Sequence, residues 1–378
     1  MIKGYKGFTL IEVIVIMAVI AILAGMAIPT ALRIFQTTAE NTTIDEMDNL
    51  KKAMIGDPQK LQSSVRGDFG FLGDIGCLPT TALGGLDRLL SQGTYSSWSF
   101  NSTMQAGAGW KGPYITGTPG EDFKKDQWGN DYTYSPVAGT CPLTATLTSN
   151  GPNGAAGDGD DITATIESAA TTATVRGIVK DVTGTGLGSI PVEFYSAVNG
   201  TLPGTPPSTT TDANGNYSFT LVPFGARAVR AVSPARLLLL PGSVTTQNSG
   251  EWVIFTVMNY STTAITITTM SATWTPSAGT QYDSIYINQV VVDTGNNITS
   301  GTVHNIDPDY TVSGNPLPSP SMRVFVDSAD SQLPDIQLIS GTKATVRLEF
   351  EGGDDMRGRP FTVVFNHAGG PSTVQFTP

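Results

Sequence analysis

An apolar run over residues 8–28 constrains this chain more than any other feature, because only a helix long enough to cross a membrane suits it. At 1.5 Å per residue the helix would be about 31 Å long, against a hydrocarbon core of about 30 Å. The run carries a single charge, Glu12. A carboxylate at the centre of a membrane helix costs about 2.5–3.5 kcal/mol on insertion scales, so its presence needs a reason. Lys3 and Lys6 lie just before the run, which holds the leader in the cytoplasm and sends the rest of the chain outward. A cleavable secretory signal would need small residues after the apolar segment. Ala24-Gly25-Met26-Ala27 meets that need poorly, and Glu12 sits badly inside such a signal. A plain membrane anchor is the other general reading.

The stretch Lys6-Gly7-Phe8-Thr9-Leu10-Ile11-Glu12-Val13 resembles the class III signal of type IV pilins and pseudopilins. The resemblance implies that a prepilin peptidase cuts after Gly7 and methylates the new amino terminus at Phe8. It places the family's assembly glutamate on Glu12 and its helix-bending proline on Pro29. It also implies a bacterial-type inner-membrane location with the N-terminus inside, followed by a periplasmic or extracellular filament. The implied partners are copies of the chain or related pilins in a helical filament, together with inner-membrane assembly machinery.

After Pro29, apolar residues recur at Ala31, Leu32 and Phe35, then at Ile44, Met47, Leu50 and Met54. Intervals of three and four suit one helical face packed on a globular domain. The helix is therefore expected over 8–61, with Gly56-Asp57-Pro58 as a stop or kink. Gly25 and Pro29 weaken its middle, since glycine costs backbone entropy and proline removes a hydrogen bond. A bent membrane helix is one consequence. A segment that melts and stretches on filament assembly is the one the resemblance implies.

A pseudopilin-like globular domain is expected over 62–172. Leu78-Pro79-Thr80-Thr81, Gly85-Leu86 and Leu89-Leu90 resemble a segment of the major (G-type) pseudopilin of type II secretion, as do Gly109-Trp110-Lys111-Gly112-Pro113-Tyr114-Ile115 and Asp126-Gln127-Trp128-Gly129-Asn130-Asp131-Tyr132. Gln127 and Asp131 stand where that family has prolines. The aromatic side chains among these turns supply the large apolar area a small sheet needs.

Residues 149–162 place three carboxylates and two carboxamides in a glycine-rich loop. Calcium takes six to eight oxygen ligands from carboxylates and carbonyls. The loop resembles the calcium loop of the G-type pseudopilins. The resemblance implies a metal site at Asn153, Asp158, Asp160 and Asp161, with Asn153 replacing a carboxylate of the family pattern. On composition alone the same residues describe a solvated acidic turn. The cysteines, Cys77 and Cys141, suggest one disulfide in an exported chain, free thiols being the alternative.

With 378 residues, two or three folded units are expected. Alternating strands after residue 172 point to two β-sandwiches. Residues 173–234, with Thr211-Asp212-Ala213-Asn214-Gly215-Asn216-Tyr217-Ser218-Phe219, resemble the carboxypeptidase-regulatory-like domains, small seven-stranded modules with no peptidase chemistry. Residues 235–378 read as an immunoglobulin-like sandwich. The fold class is thus an α+β pilin fold, a long helix plus a small antiparallel sheet, followed by two all-β sandwiches.

The net charge of −11, or −13 once Lys3 and Lys6 leave with the leader 1–7, argues against nucleic acid as a partner. An enzyme is not expected: His304 and His367 are far apart, and no serine elbow, phosphate-cradling loop or CxxC pair occurs. Glu351, Asp354 and Asp355 read as a solvated loop. Arg66-Gly67-Asp68 spells an adhesion tripeptide, a match too short to carry weight. A structural filament subunit is the reading that results, with a minor pilin-like adhesin or substrate-binding subunit as the alternative.

Overall fold

The computed structural model describes residues 9–62, 65–116, 122–233, 235–293, 295, 297–315 and 321–378. One long N-terminal helix is followed by strands in several sheets. The chain divides into two units, one of residues 1–97 and 109–171, the other of residues 98–108 and 172–378.

In the first unit, helix α1 runs unbroken from Leu10 to Ile55 and contains Pro29. Its 46 residues span about 69 Å. It stops six residues before the expected end because Gly56 adopts φ 79° and turns the chain. A Cβ at Gly56 would fall 2.3 Å from the Asp68 carbonyl oxygen, so only glycine fits there. The helix buries Thr43, Met47, Leu50 and Met54, spaced as one face. Ile44, expected on that face, is exposed, as are Leu32 and Phe35. The globular part reaches the helix only from Thr43 onward, and Thr43 takes the position expected of Ile44.

The buried face packs on α2 (Gly70–Ile75), whose Phe71, Leu72 and Ile75 are fully buried. A meander of Thr133–Pro136, Ala145–Ser149 and Ile162–Ile166 forms the small antiparallel sheet. Its central strand alternates, burying Ala145, Leu147 and Ser149. Cys77 and Cys141 are joined in a disulfide with Cα atoms 5.0 Å apart. Arg66 is buried: Nε donates to the Asp68 carbonyl at 2.8 Å and Nη2 to the Ile55 carbonyl at 2.5 Å. Its cation thus sits at the C-terminal end of α1, where the helix dipole favours positive charge. Asp68 is engaged by Lys60 and by the Gly70 N–H. The Arg66-Gly67-Asp68 tripeptide is therefore a helix stop, not a displayed ligand.

The second unit is all β. One pair of sheets is Ser208–Thr210, Pro191–Tyr195, Gly225–Ala231 and Met322–Val326, against Asn216–Pro223, Thr172–Lys180 and Asp330–Gln332. The boundary expected at 234 is crossed here. Met322–Val326 pairs antiparallel with Gly225–Ala231, while Asp330–Gln332 and Ile336–Gln337 pair parallel with Thr172–Lys180. The five strands before residue 234 leave one edge of each sheet open. The returning segment adds a strand at that edge of each sheet and buries Val324, Val326, Leu333 and Ile336.

The other pair is built on Trp252–Asn259, Lys343–Phe350 and Tyr282–Ile287 in one sheet and Val303–Val312, Ile265–Trp274, Phe361–Asn366 and Ser372–Phe376 in its partner. Its core centres on Trp274, which meets Phe350 edge-on at 5.1 Å and stacks near Phe361 at 6.0 Å. The buried indole N–H donates to Thr280 Oγ1 at 2.7 Å, so no donor is stranded.

The hairpin Ser99–Asn101/Ala106–Ala108 lies inside the span expected for the pseudopilin domain, yet it groups with the sandwich unit. Ala106 and Met104 pack on Tyr195 and Ala228 of the first sandwich.

Candidate functional site

Two regions carry the residues that the sequence singled out: the start of α1 and the glycine-rich acidic loop. Gly7 and Phe8 lie outside the described residues. The description begins at Thr9, which caps α1. Glu12 Oε2 accepts from the Thr9 N–H at 2.9 Å and the Thr9 hydroxyl at 2.8 Å, and the Glu12 N–H donates back to Thr9 Oγ1 at 3.4 Å. This reciprocal capping box satisfies donors that a helix start otherwise leaves open. Around it, Leu10, Ile11 and Val13 are exposed. Further along, Pro29 has no N–H to offer the carbonyl of Gly25, and the Thr30 hydroxyl donates to the Met26 carbonyl at 3.1 Å.

The acidic loop is built on Asp126, buried at 5% exposure. Its Oδ1 accepts from the N–H groups of Trp128 (3.1 Å) and Asn130 (2.8 Å), and its Oδ2 from the Ser149 hydroxyl at 2.6 Å. Asn130 Nδ2 then donates to the Gly151 carbonyl at 2.7 Å. Gly151 has φ 61°, and a Cβ there would stand 2.5 Å from the Asp160 carbonyl oxygen. The loop closes on itself because this one residue carries no side chain.

Asn153, Asp158 and Asp160 come together. Asn153 Nδ2 donates to Asp158 Oδ2 at 2.7 Å and to Asp160 Oδ1 at 3.0 Å. The two carboxyls also share a hydrogen bond, which holds Asp158 below the usual carboxylate range and pushes Asp160 above it. Asp161 points elsewhere, its Oδ2 accepting from the Gly157 N–H at 2.7 Å. Among the described residues, no three His, Cys, Asp or Glu side chains converge as a metal-ligand group. The loop does offer what a hard cation uses. Its carboxylates supply oxygens, and Asp161 Oδ1 and Asn150 Oδ1 are buried with no hydrogen-bond partner, while Asn153 turns its amide nitrogen to Asp158 and Asp160.

Glu46 was not singled out by sequence. It joins α1 to the loop bearing Asp126: Gln127 Nε2 donates to Glu46 Oε1 at 2.5 Å and the Tyr132 hydroxyl to Oε2 at 3.0 Å. Burial, then the Glu46 charge, pushes the Tyr132 phenol well up. Gln127, one of the two departures from the pseudopilin pattern, is the only available signal, since a proline there would have no amide to give.

The histidines have structural settings. His304 Nδ1 meets Asp293 Oδ2 at 2.5 Å, and His367 Nε2 lies 2.8 Å from the Ser372 hydroxyl. Asp355 is held to about 2 by the Arg357 guanidinium, with which it makes two hydrogen bonds at 2.8 and 2.6 Å.

Comparison with known proteins agrees with the reading of the N-terminal helix. The model of the prokaryotic N-terminal methylation motif matches residues 2–28. Type II secretion system core protein G of Vibrio cholerae serotype O1 is 31% identical over 161 residues, which are 42% of this chain and 91% of that protein. The chain belongs to the family of type II secretion system core protein G, with additional β domains. Among solved structures, the full-length major pilin SpaD from Corynebacterium diphtheriae is 12% identical with a TM-score of 0.22. The likeness covers 54% of this chain and 65% of that one. A DUF3823 family protein from Bacteroides uniformis is 12% identical with a TM-score of 0.21, over 54% of this chain and 96% of that one.

Proposed function

We propose that this chain is a structural subunit of a pilus-like filament, a type II secretion pseudopilus or a type IV pilus. It polymerises through α1 and carries its sandwiches on the filament surface. The observation that supports this reading is the bare apolar length of α1. Leu10, Leu23 and Phe35 are 78%, 61% and 71% exposed, and the most apolar 18-residue stretch of the helix has none of its residues buried. Such a surface needs a cover. Lipid supplies it before assembly and neighbouring helices supply it afterwards.

Prepilin peptidase cuts after Gly7 and methylates Phe8. In the single subunit, Glu12 is occupied by its own helix cap. In a filament it pairs with the Phe8 ammonium of a neighbour, each charge offsetting a desolvation cost that the other could not bear alone. The weak point at Gly25 and Pro29 lets the helix stretch. Inner-membrane assembly machinery extracts the subunit into a periplasmic or extracellular filament.

Calcium is the cofactor this reading assigns to the acidic loop, to be held by Asp158, Asp160, Asp161 and Asn153 once the Asn153 amide turns its oxygen toward the ion and Asp161 turns in. The ion would neutralise carboxylates that otherwise repel one another.

N-terminal mass analysis of assembled material tests the core of the proposal. A methylated Phe8 is expected, and an intact Met1 would overturn it. Gly7→Leu should abolish maturation. Glu12→Ala should leave a stable membrane protein that is nearly missing from sheared filaments. Normal incorporation of that variant would remove the pairing role.

A further inference from the structure

The hairpin over 98–108 carries exposed aromatic rings outside α1. Outside α1, Trp98, Phe100 and Phe325 are the described aromatic side chains more than a third exposed, at 37%, 44% and 43%. Two of these three share one face of one hairpin, with ring centroids 6.4 Å apart and planes within 22° of parallel. Exposed rings held side by side in this way present a flat apolar platform.

The platform is fixed in place. Gly107 lies beneath the indole, where a Cβ would come within 2.5 Å of Trp98 Cζ2. The turn is tied by Asn101 Oδ1, which accepts from the N–H groups of Thr103 and Met104 at 3.0 and 2.9 Å. Met104 and Ala106 anchor the hairpin on Tyr195 and Ala228. Rigid rings bind without first being ordered, which lowers the cost of association.

The surrounding chemistry selects the partner. From Leu89 to Trp110 the chain has no charged residue, and its polar groups there are hydroxyls and amides of Ser, Thr, Asn and Gln. Aromatic faces give contact area at little entropic cost, and small neutral polar side chains give adaptable hydrogen bonds. A polyanion would be repelled by a chain of net charge −11, and the charges on the sheet that seats the hairpin are engaged within the protein, Arg230 with Glu193 at 2.6 Å and Arg323 over the Phe325 ring. Alternating apolar faces and hydroxyl edges describe an uncharged sugar polymer.

We propose that the Trp98–Phe100 face of this hairpin binds neutral polysaccharide. The full-length chain in detergent, not assembled into filaments, is passed over microcrystalline cellulose, chitin and granular starch at low and high salt. Retention on at least one of the three is expected, and salt should not weaken it, because no ion pair is involved. Trp98→Ala and Phe100→Ala should each lower retention by on the order of tenfold, while Trp98→Phe should keep most of it. Thermal melts of all three variants separate loss of binding from loss of fold. If Trp98→Ala does not fold, Phe100→Ser decides. Retention on none of the polymers overturns the proposal, as does retention abolished by salt or unchanged in folded Trp98→Ala and Phe100→Ser. A variant that binds normally but no longer enters filaments would make the face a contact between copies instead. Failure of polymerisation itself would leave this result untouched, since the assay uses unassembled protein.

Discussion

The helix-bearing unit and the sandwich unit solve the same problem with different means. The sandwich unit closes around large rings, Phe255, Trp274, Tyr282, Phe361 and Phe365 among them, each almost fully buried. The helix-bearing unit has a small three-stranded sheet and a short second helix against the last turns of α1. It adds a disulfide, a buried arginine on the helix end and a glycine-rich loop tied to a buried aspartate. A small core leaves less hydrophobic free energy to offset chain entropy, so cross-links and polar ties carry more of the burden. The comparison predicts that the two units answer to different perturbations.

The largest separation should come from removing Trp274 or the disulfide. Trp274→Ala deletes the centre of the larger sandwich and should cost about 3–5 kcal/mol there. Calorimetry should show the sandwich transition falling while that of the helix-bearing unit stays. Coincident shifts of both would show that the units do not melt separately.

Reduction, or paired Cys77→Ser and Cys141→Ser, should act the other way. The bridge closes 64 residues of sequence separation, for which the chain-entropy model gives roughly 4 kcal/mol. Only the helix-bearing unit should lose stability, because both cysteines belong to it. An unchanged melt under reductant would remove the disulfide from that account.

A chelator should give a smaller effect in the same unit. Binding to the folded state alone contributes about 2.7 kcal/mol at a hundredfold excess over Kd. Calcium should raise the transition of the helix-bearing unit, and Asp160→Ala or Asp161→Ala should abolish the rise. Identical melts with calcium and with chelator would reduce the loop to an acidic turn.

The smallest effect should be on the sandwich unit in acid. Asp355 has a folded value lowered to about 2 from 3.8, so its contribution is present above 3.8 and is lost as pH falls toward 2. The pair is solvent-exposed, so salt should screen it. Asp355→Asn should flatten this part of the stability–pH profile. A profile identical to that of the native chain would exclude the pair as a contributor.

Sequence by itself determined what depends on near neighbours. The apolar length of α1, the stop signal at Gly56 and the position of Glu12 in the first turn all follow from local pattern. The glycine-rich loop was legible for the same reason, since turns and their carboxylates are contiguous. Tertiary structure alone decided what depends on distant partners. No local pattern says that residues 322–337 return to pair with 172–180 and 225–231. Glu46 is an ordinary exposed-looking helix residue until Gln127 and Tyr132, more than eighty residues away, close on it. Arg66 looks like part of an adhesive tripeptide until its guanidinium is seen under the end of α1. Trp98 and Phe100 read as two aromatic residues in a serine-rich stretch until Gly107 is folded beneath one and the other is set beside it. In each case side-chain chemistry is written in the chain, but the free energy it yields depends on which groups meet, and only folding sets that.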